Sequence, residues 1–398
     1  MSSIYSRAEM AHQMALRLMK PNPLDEVLRS GLFISGQRRQ GKTTFLIHDL
    51  IPALESQGAI VMYIDLWSNT QASPASLVLS KIQEKLAELQ DTGSRTIQTL
   101  KRVTGLDVGV LTFKFGFKLD SIGKQGGLTI AETMAAVVDQ AKRDVVLIVD
   151  EVQQAITTDD GRSLLEALKS ARDTINPRPH TPGHFIMIGT GSNRAMVNEL
   201  ITRKAHAFEG AQAMTFPVLG KDYVDYLLTR LAESSPGILL PSIDVATKAF
   251  VMVGNRPEEL RKALRSLYQS IHENPALAPD ETLLVIAQTL RVNAAELEMA
   301  RISELGGLAN LAFDRVANSE KEKRPLFDAE ALAEYASALQ RPVATDEVQR
   351  IVNEMLACNF IMRIAHGTYR VSDPFVQKVW LEIKGAKGDD GPQEGILS

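Results

Sequence analysis

Four runs of apolar residues mark the first half of the chain without alternating with polar ones. They are Leu32–Ser35 (LFIS), Ala59–Asp65 (AIVMYID), Asp144–Asp150 (DVVLIVD) and His184–Gly189 (HFIMIG). A strand with one wet face alternates apolar and polar residues, so an unbroken run predicts a strand covered on both faces, as in a parallel sheet flanked by helices. Between these runs the period becomes helical. Leu77, Leu79, Ile82, Leu86 and Leu89 lie on or near one face over Ala75–Leu89, and Leu128, Met134, Val137, Val138 and Ala141 do the same over Gly127–Lys142. Short strands alternating with longer helices predict an α/β domain. One segment breaks the rhythm. Leu106–Leu119 (LDVGVLTFKFGFKL) has period two, sets Phe113, Phe115 and Phe117 on one side, and predicts a β-hairpin or edge extension that packs on its own domain.

Beyond Phe216 the pattern turns helical over residues 220–323, with Pro-containing breaks at Ser234–Pro241 and Asn274–Pro279. The charged run Asn318–Arg324 (NSEKEKR), followed by Pro325, predicts a boundary. Next come helical patterns at Asp328–Leu339 and Thr345–Cys358, two short strands within Asn359–Val371 around His366-Gly367, and a helix at Asp373–Lys384. Helix, helix, hairpin, helix is a winged-helix pattern. The expected division is an α/β core at 1–216, helices at 217–323, a winged helix at 324–384 and a Gly-rich disordered tail at 385–398.

Composition narrows the class. A chain of 398 residues is long enough for two or three domains, and 44% apolar with 23% charged residues excludes wholesale disorder. The formal charge of -4 means that any nucleic-acid contact must come from a local patch. The single cysteine, Cys358, excludes an intramolecular disulfide and a cysteine-rich zinc site, in keeping with a reducing cytosol. The opening MSSIYSRAEMAHQM lacks a signal-peptide layout, and the purest apolar stretch, Val145–Val149, is far short of a membrane span. The expectation is a cytoplasmic protein.

Candidate chemistry sits at the end of the first strand. Gly36-Gln37-Arg38-Arg39-Gln40-Gly41-Lys42-Thr43 is a complete G-x-x-x-x-G-K-T between a predicted strand and a predicted helix, Thr43–Leu54. The glycines let the backbone wrap and aim its N–H groups at phosphate oxygens, and the helix start adds partial positive charge. Lys42 would reach the β- and γ-phosphates, and the Thr43 hydroxyl would take a place on Mg²⁺. The run Val145–Val149 ends in Asp150-Glu151. There Asp150 can face the magnesium through water, and Glu151 can orient or deprotonate the attacking water. The strand His184–Gly189 is followed by Thr190-Gly191-Ser192-Asn193-Arg194. Thr190, Ser192 or Asn193 could sense the γ-phosphate, or Ser192 or Asn193 could simply cap a helix. No N-K-x-D element for reading guanine is present, which favours ATP, with Mg²⁺ following from the chemistry.

Taken together, GQRRQGKTTFL, VVLIVDEVQ, IGTGSN and VGNRPEELRKAL resemble the AAA+/STAND-type P-loop ATPases, particularly the archaeal-type ATPase family, over residues 30–383. The ending Tyr369-Arg370-Val371-Ser372-Asp373-Pro374-Phe375, with Trp380 after it, is similar to the close of that family's winged helix. The resemblance implies a P-loop parallel sheet, a helical lid within 217–323 and a C-terminal winged helix. It assigns Gly36, Gly41, Lys42, Thr43 and Thr44 to the nucleotide loop, and Asp150 and Glu151 to hydrolysis. Gly254-Asn255-Arg256-Pro257 resembles the lid motif near the nucleotide; Arg256 would touch phosphate there, or the segment is a helix-start turn with Pro257 in the first position. One departure stands out. Where such proteins often carry an aromatic-Gly-Arg element, Phe208-Glu209-Gly210 is followed by Ala211, leaving Arg194 and Arg203 as substitutes for an arginine finger.

A winged helix suggests DNA by analogy, yet Pro325–Lys384 holds six basic and eight acidic residues, a net of -2. The helix expected to do the reading, Thr345–Cys358, sets Asp346, Glu347 and Glu354 against Arg350. The leading expectation is an ATP-hydrolysing switch that signals to a protein partner through its lid and winged helix. A DNA-dependent ATPase and a nucleotide-binding adaptor with little hydrolysis are the alternatives, and a homo-oligomer is left open.

Overall fold

In the computed structural model the chain divides into two compact units, Met1–Pro217 and Val218–Ser398. The described residues are 4–69, 72–104, 113, 118–123, 127–156, 158–192, 197, 200–201, 207–235, 237–319, 325–358, 360–365 and 367–389.

The first unit is built on five parallel strands, β1 (Leu32–Ser35), β2 (Ile60–Asp65), β3 (Val145–Asp150), β4 (Phe185–Gly191) and β5 (Gln212–Thr215), in the order β2-β3-β4-β1-β5. Its helices include α1 (Ala8–Met19), α2 (42–56), α3 (Pro74–Gln90), α4 (Arg95–Thr104), α5 (Ile130–Ala141), the short α6 (Gln153–Ile156) and α7 (Asp159–Ile175). The unbroken apolar strands do have two dry faces. Phe33, Met62, Leu147 and Met187 face α3, α4, α5 and α7, while Ile34, Val61, Ile148 and Ile188 face α1 and α2. β5 escaped the sequence reading because its side chains are largely exposed and form no apolar run. Of the hairpin expected over Leu106–Leu119, residues 106–112 and 114–117, with Phe115 and Phe117, lie outside the described residues. Phe113 is buried in the core with α3, and Leu119–Ser121 is a 3-10 turn.

Helix α2 has three parts in succession, an α-turn Lys42–Phe45, a π segment Leu46–Leu50 and an α-helix Ile51–Ser56. Pro52 explains the wide turn: it has no N–H to donate, and its ring crowds the carbonyl one turn back, so the preceding turn opens. The parallel register ends the strands together. Asp65 lies beside Asp150, Val149 beside Gly189 and Ser35 beside Gly191, which gathers four strand ends at one edge.

The second unit runs α8 (Lys221–Ser234), α9 (Ile243–Met252), α10 (Pro257–Glu273), α11 (Pro279–Glu304), α12 (Gly307–Ala317), α13 (Ala329–Leu339), α14 (Thr345–Ala357), an antiparallel pair β6 (Ile361–Ala365) and β7 (Thr368–Val371), and α15 (Pro374–Asp389). Both Pro-containing breaks fall between helices, and Pro257 and Pro279 open α10 and α11 where a missing N–H costs nothing. From α13 onward the order is that of a winged helix, as expected. Its core takes in α12: Phe313 meets Trp380 edge-on at 4.9 Å, and the Trp380 indole donates to Asp314 at 2.7 Å. Helix α15 continues to Asp389, five residues past the end read in the sequence, and the rest of the tail expected from Gly385, residues 390–398, lies outside the described residues.

Candidate active site

The loop from Gly36 to Gly41 joins β1 to α2. Gly41 has φ 84, and a Cβ there would meet nothing within 4 Å, so this glycine answers to a left-handed backbone beside open space. Helices α3, α5 and α7 start on side-chain caps from Ser73, Thr129 and Thr158, whereas α2 starts on Gly41 with none. Its first N–H groups are therefore left for an anion, and the exposed Thr43 and Thr44 lie in that turn. The loop side chains are tied down locally. Gln40 is buried and donates to Gln37 at 3.3 Å, Arg39 takes φ 64, and the Arg38 guanidinium covers the Trp67 ring at 4.3 Å.

Lys42 is buried, and its ammonium donates to the carbonyl oxygens of Gly36 and, at 2.9 Å, Gln37. Burial pushes its pKa down, while the Glu151 and Asp150 carboxylates pull the other way.

Asp150, at the end of β3, is 1% exposed. One of its oxygens, Oδ2, accepts from the Thr43 hydroxyl at 2.7 Å and from the Tyr63 hydroxyl at 3.2 Å; the other, Oδ1, accepts from Thr190 and from the Glu151 N–H at 3.1 Å. Burial and the nearby Asp150 raise the Tyr63 pKa, which keeps that hydroxyl a donor. Burial likewise raises Asp65, the neighbour of Asp150 across the register, and Asp150 and Glu151 add to the effect. Thr43 and Asp150 together offer hard oxygen donors side by side, the set that suits Mg²⁺, an ion that takes few protein ligands and keeps water and phosphate oxygens. Among the described residues no group of three or more His, Cys, Asp or Glu is arranged to hold a metal.

Glu151 leaves the strand in a left-handed conformation, φ 55, which is strained for a side chain of its size. Its carboxylate is caught on one oxygen. Oε2 accepts from the Gln153 amide, from the Ser192 hydroxyl at 3.0 Å and from the Ser192 N–H at 3.2 Å.

The sheet thus assembles Lys42, Thr43, Asp150, Glu151, Thr190 and Ser192 at one edge of the first unit. Two of the three candidate γ-phosphate sensors have their hydroxyls on carboxylates, Thr190 on Asp150 and Ser192 on Glu151. Asn193, Arg194 and Arg203 lie outside the described residues. Arg256 lies in the second unit at the start of α10. It is buried, forms an ion pair with Asp373 and stacks at 4.6 Å on Phe375. Sequence reading missed Tyr63 and Gln153. Tyr63 meets Asp150 through the β2–β3 register, which no single residue announces, and Gln153 stood inside the DEVQ motif without a signal of where its amide points.

Residues 22–263, more than half of the chain, match the family described as an ATPase domain predominantly from Archaea. No curated protein is significantly similar in sequence. Among solved structures, a Walker-type ATPase of Pyrococcus abyssi superposes with a TM-score of 0.55 at 17% identity, covering 94% of this chain and 95% of that one. The ORC2 protein of Aeropyrum pernix in its ADP form gives 0.54 at 13% identity, with 97% of each chain covered. The same protein in ADPNP-ADP complexes gives 0.50 at 14% identity over 98% of each. Such identities speak for the fold alone, and the fold agrees with the phosphate loop and the carboxylate pair at its edge. The chain belongs to this family of ATPase domains found predominantly in Archaea and carries the phosphate loop of a nucleotide-binding ATPase.

Proposed function

We propose that the protein hydrolyses ATP with Mg²⁺ as a switch, passing its nucleotide state to a protein partner through the helices of its second unit and the winged helix. The observation that carries the reading is the juxtaposition of Thr43 with Asp150 at 2.7 Å beside Glu151, next to an uncapped helix start. Thr43 and Asp150 would hold the magnesium, which neutralises phosphate charge when bound. Lys42 rests on neutral carbonyls, so its ammonium can turn to phosphate without leaving a carboxylate. Glu151 takes the proton of the attacking water. The ADP and ADPNP-ADP complexes of the ORC2 protein support adenine-nucleotide binding by a chain of this fold. Arg256 can serve phosphate only after its pair with Asp373 opens, which makes that pair a point where nucleotide state could be felt. The loop after Phe208 lacks an arginine at its expected place, in keeping with slow turnover and a switch.

The charge on α14 supports a protein partner. Asp346, Gln349, Arg350 and Asn353 are exposed there, and Glu347 is held by Arg341 at 2.6 Å, so no excess of positive charge faces outward. Duplex DNA is the second reading, favoured by Arg363 and Arg370, exposed on the wing strands. Turnover measured with and without duplex DNA across a salt series distinguishes them. A change below twofold is expected; stimulation of several-fold that collapses with salt would overturn the protein-partner reading. Glu151→Gln is expected to keep ATP binding and to lose about a hundredfold or more in turnover. Tight ATP binding by a wild type that does not turn over would make the protein an adaptor instead.

A further inference from the structure

Gln153 holds neither phosphate nor metal in the proposed reaction, yet it is 4% exposed and its amide touches the Glu151 carboxylate. Its nitrogen donates to Oε2 of Glu151 and lies 3.3 Å from the Ser192 hydroxyl, which itself donates to that same Oε2. Three donors, two from Ser192 and one from Gln153, therefore converge on one oxygen of Glu151. No hydrogen bond among the described residues engages the other, Oε1.

Two further features argue that the amide is there for this purpose. The Gln153 carbonyl oxygen Oε1 is buried without a partner among the described residues, a cost that an apolar side chain of the same length would avoid. The sheet also makes room for it. Gly191, the last residue of β4, would with a Cβ come within 2.3 Å of the Gln153 Oε1. A Gly-Ser pair after Thr190 thus does two things: Gly191 admits the Gln153 side chain, and Ser192 completes the grip. The left-handed backbone at Glu151 aims the carboxylate into this grip, since φ 55 turns the side chain out of the strand direction.

We propose that Gln153 is a positioning residue for hydrolysis. It fixes Oε2 of Glu151 so that Oε1, with its lone pairs free, is the oxygen presented to the attacking water. A carboxylate held at one oxygen can pivot about that point only, which restricts the base to a narrow arc. Misplacing a catalytic group by about 1 Å can lower the rate by about a hundredfold. This rests on Glu151 being the base, as proposed above.

The test is a cycle of four full-length proteins: wild type, Gln153→Met, Glu151→Gln and the double variant, with ATP affinity and single-turnover hydrolysis measured separately. Methionine keeps the length and burial of the side chain and removes the donor. Gln153→Met is expected to lower kcat by about ten- to a hundredfold while ATP affinity changes less than twofold. In the Glu151→Gln background the same substitution is expected to change the residual rate by less than twofold, because the group it positions is gone. An equal loss in both backgrounds would reveal a structural role and overturn the proposal. So would a wild-type or raised kcat in Gln153→Met, the latter meaning that the amide holds Glu151 away from water. If Glu151→Gln hydrolyses ATP at the wild-type rate, the base assignment itself falls. If that variant is inactive and Gln153→Met is not, the base stands and the positioning role falls. Should Gln153→Met fail to fold, Gln153→Asn, which keeps the amide but shortens it by one methylene, is expected to show the same selective loss in kcat, and a wild-type kcat there would overturn the proposal.

Discussion

Lys42 in the first unit and Arg256 in the second are both buried cations; the sequence assigns the first to phosphate and leaves the second open between phosphate and a helix-start turn, and they are held in opposite ways. Lys42 leans on two neutral carbonyls, and burial lowers its pKa. Arg256 has a carboxylate, Asp373, and an aromatic face, Phe375. A buried charge with no carboxylate in direct contact costs stability, and a ligand can supply the missing contact. A buried charge with its partner already in place belongs to the fold until something breaks the pair. The difference separates a cation waiting for a ligand from one committed to a junction between α10 and α15.

Replacing Lys42 puts the first half of this contrast at risk and should have the largest effect. Lys42→Ala is expected to weaken ATP binding by about 3 kcal/mol, roughly a hundredfold, as the loss of a charge-assisted contact implies. The same variant without nucleotide is expected to melt no lower than wild type, since it sheds a buried ammonium. Titration with a fluorescent ATP analogue and a thermal melt check both. Affinity retained would move the nucleotide elsewhere, and a large loss of stability would make Lys42 a structural cation like Arg256.

Asp373→Asn probes the other half. It leaves the Arg256 guanidinium buried against Phe375 with no counter-charge, and a loss of about 2–3 kcal/mol in the stability of the second unit is expected. Hydrogen exchange at the starts of α10 and α15 should report it, with the first unit unchanged. Adding Arg256→Met to that variant should recover most of the loss, because an apolar chain fills the site without a charge to strand. A variant pair that is neutral throughout would mean that the ion pair contributes nothing to the junction.

The two cations also mark how far the sequence could be read. The strand runs, the phosphate loop and Asp150-Glu151 were legible because each is local. A loop that wraps phosphate needs its glycines and lysine at fixed spacing, and a strand buried on both faces cannot hide its apolar run. Arg256 was ambiguous because a G-N-R-P turn looks the same whether its arginine meets phosphate or an aspartate 117 residues further on. Tyr63 and Gln153 were illegible for a related reason. Their partners are set by the strand register and by a left-handed Glu151, neither of which has a one-residue signature. β5 was missed because an exposed edge strand needs no apolar pattern.

Tyr63 lies between the two classes, and its replacement should have the smallest effect. Its hydroxyl is the longer of the two bonds on Asp150 Oδ2, 3.2 Å against 2.7 Å from Thr43. If Thr43 turns from Asp150 to the metal when nucleotide binds, Tyr63, Thr190 and the Glu151 N–H are left to hold the carboxylate. Tyr63→Phe is then expected to cost about 1 kcal/mol in stability and to raise the Mg²⁺ concentration for half-maximal turnover by roughly two- to fivefold, with ATP affinity in excess Mg²⁺ unchanged. A metal titration of turnover beside a thermal melt separates the outcomes. Loss of stability alone would class the tyrosine with Arg256, as part of the fold. A shift in the metal requirement alone would class it with Lys42, as a group whose bond matters only once the ligand has arrived.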